Sequence, residues 1–119
     1  MKKTEDNLIA VKSKAFAIRI VKLYKYLCDK NKNPIIGSQL LRSGTSIGAN
    51  IKEGLRAQSK PDFVSKMSIA LKEASETEFW LEILRDSEYL TITQAESMLE
   101  DCVEIIRLLM SITKTAEGK

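Results

Sequence analysis

Apolar residues recur along this chain at intervals of three and four, and no segment alternates apolar with polar residues as a half-buried strand does. Four helical segments follow from that pattern. The first is expected over about residues 6–30, where Ile9, Phe16, Ile20, Leu23 and Leu27 form a heptad-like seam. Thr4, Asp6 and Asn7 offer oxygens to its start, and Asp29-Lys30-Asn31-Lys32-Asn33 breaks the pattern. Pro34 has no N–H to leave unpaired in a first turn, so a second helix is expected over about 34–56.

The third segment, about 60–86, is the most regular. Phe63, Met67, Ala70, Ala74, Thr77, Leu81 and Leu84 keep a 4-3-4-3 spacing with one polar interruption. Ser59-Lys60-Pro61-Asp62 supplies its start, a hydroxyl at the cap and proline in the first turn. The fourth, about 93–114, is expected to open on the capping-box spacing of Thr93-Gln94-Ala95-Glu96. Its seam is Ala95, Leu99, Cys102, Ile106 and Leu109, flanked by Met98, Ile105 and Ile112.

Helices of this length with short connections bury their seams most economically when the chain doubles back each time. Residues 1–119 are therefore read as one all-α domain, an antiparallel up-down-up-down four-helix bundle. Two helices carry more apolar surface than one face requires. On the first, Leu8, Val11, Ala15 and Ile18 form a second stripe, and the third adds Trp80 and Ile83 beside its seam. A wide core face and a homo-oligomer both account for this, and Leu8, Val11, Ala15, Ile18 and Trp80 are the interface candidates. Phe16, Phe63, Phe79 and Trp80 fall on or beside apolar seams and are read as core rather than as stacking platforms.

The stretch RSGTSIGANIKEG, residues 42–54, holds three of the five glycines. It lacks both the G-x-G-x-x-G of a dinucleotide site and the G-x-x-x-x-G-K-[ST] of a phosphate loop, and no strand precedes it. As helix it makes better sense. Gly37, Gly44 and Gly48 share an arc with Ile36, Leu40, Ile47, Ile51 and Leu55. Each glycine costs a helix about 1 kcal/mol relative to alanine, so three on one edge imply a compensating close approach by a neighbouring helix backbone. Arg42, Thr45, Ala49, Lys52 and Arg56 occupy the opposite face. That stripe is either solvated, with Glu53 or acids of the third helix nearby, or a contact for phosphates or an acidic partner.

Charge adds a second pattern. The net charge is only +3, but residues 1–32 hold nine Lys/Arg against three Asp/Glu, residues 33–72 six against two, and residues 73–119 four against eleven. A basic first half and an acidic second half fit a nucleic-acid-facing surface, or helices that pair within and between subunits. On the first reading, Lys12, Arg19, Lys22, Lys25, Arg42, Lys52 and Arg56 carry RNA or DNA binding. On the second, the asymmetry serves assembly, with no nucleic acid bound.

The chain has no histidine, which removes Ser-His-Asp and Cys-His catalysis and imidazole metal ligation. The acids of the third and fourth helices cannot complete a Glu-x-x-His di-metal pattern; an all-carboxylate magnesium site is the alternative left to them, against solvated faces or pairing with Lys/Arg of the first two helices, and no metal or cofactor is expected. Cys28 and Cys102 sit in apolar helical patterns and read as free buried thiols of a reducing cytoplasm. The N-terminus lacks the apolar core of a signal peptide, and no run is long enough to span a membrane.

At Arg42, Ser43, Ser46, Ile47, Asn50, Ile51, Glu53 and Gly54, and again over DFVSKMSIALKEASETEFWLEIL from Asp62 to Leu84, the chain resembles the family of four-helix bundles encoded in 23S rRNA intervening sequences. The resemblance extends over nearly the whole length. It implies a small cytoplasmic protein without known enzymatic activity that forms a ring-like homopentamer. Relatives include the accessory variability determinant of diversity-generating retroelements, a basic pentamer that binds nucleic acid and a reverse transcriptase. The resemblance therefore implies nucleic acid and a protein such as a reverse transcriptase as partners to consider.

Overall fold

The structure, a computed structural model, describes residues 4–31 and 34–118, and regular structure among the described residues is helical throughout. Helix α1 spans Thr4–Asn31, α2 Pro34–Leu55, α3 Lys60–Asp86 and α4 Ile92–Ala116. The bundle measures 44 × 20 × 18 Å. Its long dimension is that of one helix, since 28 residues of α1 at a rise of about 1.5 Å each extend about 42 Å.

Local chemistry sets the helix ends. Ser59 caps α3, its hydroxyl accepting from the Asp62 N–H at 3.2 Å, with Pro61 in the first turn. The start of α4 differs from the sequence expectation. Thr91, not Thr93, is the cap: its Oγ1 accepts from the Gln94 N–H at 3.1 Å, and the Gln94 side chain accepts from the Thr91 N–H at 2.9 Å. T-x-x-Q and T-x-x-E overlap here, and burial of Leu90 against the core draws the chain into the helix two residues sooner. At the end of α3, Glu88 adopts a left-handed φ of 67°, and the Tyr89 and Leu90 N–H groups reach back to the Leu84 carbonyl at 2.9 and 3.1 Å. The oxygens of Thr4, Asp6 and Asn7 lie inside the first turns of α1, so its cap falls outside the described residues.

Each helix packs on the ones before and after it, and α4 packs on α1; among the described residues the backbones of the diagonal pairs, α1 with α3 and α2 with α4, stay more than 8 Å apart between Cα atoms. The pairings have a common sense. Along α1 and α4, Lys12 meets Glu104 and Arg19 meets Asp101. Along α2 and α3, Ser43 meets Thr77 and Glu53 meets Lys66. Along α3 and α4, Ala74 meets Cys102 and Arg85 meets Glu96. Along α1 and α2, Tyr24 lies by Gly37, Ile20 by Gly44 and Ser13 by Gly48. On every seam residue numbers rise along one helix as they fall along the other.

The core takes Ile9, Phe16, Ile20 and Leu27 from α1, and Leu40, Ile47 and Ile51 from α2. Every α3 seam residue except the partly buried Phe63 is buried. On α4, Ile105 occupies the interior and Ile106 only partly, so the seam leans by one position from the expected one. Thr77, the polar interruption, is satisfied: its Oγ1 lies 2.9 Å from Ser43 Oγ and 2.8 Å from the Glu73 carbonyl. Both cysteines are free, but Cys28 is half-buried rather than buried. Burial, reinforced by Glu78, Asp101 and Glu82, pushes the Cys102 thiol up to about 12, and its Sγ donates to the Ala74 carbonyl at 3.3 Å. Such a thiol is inert packing.

Candidate functional site

Gly37, Gly44 and Gly48 of α2 all face α1, but they meet different things. At Gly48 the neighbour is backbone: an added Cβ would lie 3.5 Å from the Ser13 carbonyl oxygen. At Gly44 it is a side chain, with Ile20 Cγ1 2.8 Å from that position, and at Gly37 it is the Tyr24 ring at 3.4 Å. At Gly48 the neighbour is thus backbone at an ordinary contact distance, and at the other two it is a side chain. Gly54 is also buried, against Met67 and Lys66 of α3, with Lys66 Cβ 3.1 Å from its missing Cβ. Its place in the same helical pattern, one turn beyond Asn50, is the signal that would have found it.

Of the seven cations considered for nucleic-acid contact, three are engaged within the chain. Lys12 Nζ lies 2.9 Å from Glu104, and Arg19 bridges to Asp101 at 2.6 Å and to the Ser97 hydroxyl at 2.9 Å. Arg42 contacts Glu73 at 3.2 Å and also binds Glu76. These acids are the third-helix partners weighed against the phosphate reading of Arg42. Hydrogen bonds from Arg42 and from Trp80 Nε1 hold the Glu76 carboxyl below its ordinary range. Such half-exposed bridges contribute only about 0–1 kcal/mol each, but they occupy the donors that a phosphate needs. Lys22, Lys25, Lys52 and Arg56 are exposed and make no ion pair among the described residues.

The second apolar stripe of α1 faces outward. Leu8 is 40% exposed, Val11 68% and Ile18 48%, and Ala15 lies exposed between them. Val21, 42% exposed, extends it by a turn and was not picked out from the sequence. Trp80 is partly buried against the core, but Phe79, read as core, is 51% exposed and stands edge-on to Trp80 with ring centroids 5.2 Å apart. The outward position follows from the α3 seam, because Phe79 lies two residues before Leu81 and so on the far side of the helix.

Among the described residues no group of three or more Cys, Asp or Glu is placed to hold a metal, and no helix is long and apolar enough to cross a membrane. The class so defined is a small four-helix bundle whose distinctive features lie on its surface. Residues 5–111 match the family of 23S rRNA-intervening sequence proteins, and the chain belongs to that family. It is similar to a protein of unknown function from the S23 ribosomal protein family of Bacteroides thetaiotaomicron VPI-5482. The crystal structure of that protein matches with a TM-score of 0.92 at 54% identity, covering 93% of this chain and 99% of that one. No curated protein matches the chain.

Proposed function

We propose that this protein is a non-catalytic helical bundle, antiparallel and up-down-up-down, that works as an assembly of identical copies. The opposed order of residues across all four seams supports the topology. The observation that carries the assembly is the exposed stripe Leu8–Val11–Ile18, with Val21 beyond it. A contiguous apolar face of this kind marks an interaction surface. Exposed Phe79, with Trp80 beside it, supplies a second patch on α3. Since α1 and α3 sit diagonally across the bundle, their outward faces point in opposite directions. Two different patches on opposite sides suit head-to-tail contact, the geometry that closes into rings. That geometry agrees with the homopentamer implied by the family resemblance, and a cytoplasmic location belongs to the same reading.

Light scattering tests it directly. The wild type should run as a multiple of the protomer mass, and Val11→Lys with Ile18→Lys should reduce it to single bundles that keep their helical content. A wild-type monomer at micromolar concentration would sink the reading.

A second reading, RNA or DNA binding, rests on Lys22, Lys25, Lys52 and Arg56, which remain exposed without an acid partner among the described residues. Gel retardation of a generic duplex that weakens steeply between about 50 and 200 mM salt supports it, since phosphate contacts release counterions. A reverse transcriptase as partner has the resemblance alone behind it.

A further inference from the structure

We infer that the groove between α1 and α2 is a docking site for an acidic amphipathic helix of a partner protein. The groove encloses about 530 Å³ and runs from Asn7 to Ala17 on α1 and from Thr45 on α2 to Arg56 just past its end. Ala10, Ala17, Gly48 and Ala49 keep it shallow-walled and open, while Ile51 and Leu55 add apolar surface deeper in.

Charge selects the occupant. Each of the other three seams is bridged by ion pairs: Lys12–Glu104 and Arg19–Asp101 between α1 and α4, Arg42–Glu73 and Lys66–Glu53 between α2 and α3, Arg85–Glu96 between α3 and α4. Among the described residues none bridges α1 and α2. The charged side chains lining their groove are Lys14, Lys52 and Arg56, all cations, all exposed and none in an ion pair among the described residues. Three like charges around an apolar channel repel one another, and an acidic surface laid between them reverses the sign of that interaction.

Shape and lining narrow the class further. On α1 the groove covers residues 7–17, about 15 Å of axis, which matches about three turns of a docked helix. Small side chains along it let a third helix approach at ordinary packing distance. No aromatic residue lines it, so it offers a single strand no stacking platform, and phosphates would leave its apolar surface wet. An amphipathic helix satisfies both parts, with apolar residues in the channel and carboxylates against the cations. The α4 of a second copy fits less well. Its outward face sets Arg107 and Lys114 in line with Glu96 and Glu100, bringing cations against cations.

The inference goes beyond the assembly reading and stands without it. Its test uses the full chain and a fluorescein-labelled synthetic peptide of about three to four helical turns, with leucine and alanine on one face and glutamate on the other. A lysine counterpart and a labelled RNA duplex serve as comparison probes. Fluorescence anisotropy at low salt should show saturable binding of the glutamate peptide, weakened about tenfold or more by Ala49→Phe, which fills the channel, and by Lys14→Glu with Lys52→Glu. The charge-reversed protein should gain affinity for the lysine peptide. Ala49, Lys14 and Lys52 are exposed, and circular dichroism checks that each variant keeps its helices. Failure of the glutamate peptide to saturate by about 1 mM would overturn the inference, as would binding indifferent to these substitutions. It also falls if the duplex binds the groove and displaces the peptide. Loss of assembly by Ala49→Phe in light scattering would instead place a second copy there.

Discussion

Gly44 and Gly48 sit one turn apart on α2, and the structure gives them opposite reasons to exist. A Cβ at Gly44 would lie 2.8 Å from Ile20 Cγ1 and 2.9 Å from Cγ2, atoms of a fully buried β-branched side chain that cannot swing aside. At Gly48 the nearest atom is the Ser13 carbonyl oxygen at 3.5 Å, an ordinary contact distance. Gly44→Ala is therefore expected to lose about 1–3 kcal/mol through overpacking. Gly48→Ala should gain up to about 1 kcal/mol from helix propensity. Urea denaturation of both reads the difference, and shifts of the same sign would contradict it. Spacing alone puts both glycines on one arc. It cannot say whether a side chain or a carbonyl stands opposite, because that depends on how α1 is turned. Glu88 is a second residue-scale case. It takes φ 67° with a Cβ where helix ends usually place glycine, so Glu88→Gly should raise stability by about 0.5–1 kcal/mol, read as a higher denaturation midpoint.

Between elements, the α2–α3 seam shows how charge acts on the fold. Arg42 and Trp80 hold the Glu76 carboxyl below its ordinary value of 4.5. As pH falls through that value, the unfolded chain takes up the proton first, so the unfolded state is favoured progressively until the folded carboxyl also protonates. The contribution is complete above about pH 4.5 and lost below it. Asp86, held low by Arg85, adds in the same direction. Glu76→Gln should flatten the acid limb of stability against pH, and a limb identical to wild type would count against the Arg42–Glu76 pairing. The α3 seam itself was plain in the sequence, since its 4-3 spacing persists from Met67 to Leu84. The start of α4 was not, because two capping boxes overlap and the choice between them rests on where Leu90 is buried.

Across the whole molecule, the basic first half and acidic second half meet on the α1–α4 and α2–α3 seams, so much of the asymmetry is used internally. The α1–α4 contact is the sparsest of the four and is spanned by polar bridges: Lys12–Glu104, Arg19–Asp101 and the Ser111 hydroxyl donating to Glu5. Half-exposed bridges stabilise little, so α1 is expected to open ahead of the better-packed α2 and α3. Native-state hydrogen exchange under conditions that keep the bundle single should show α1 amides exchanging ahead of those of α2 and α3. Uniform protection would contradict this.

The number of helices, their inward faces and the family were written locally, in 3.6-residue periodicity, capping hydroxyls and the RSGTSIGANIKEG stretch, each legible from residues a few positions apart. The pairing of Lys12 with Glu104 and the unpaired cations along the α1–α2 groove were decided only in three dimensions. Residues 92 positions apart become neighbours only when α4 closes against α1. Periodicity places a residue on a face of its helix, but only the neighbouring helices determine what that face meets.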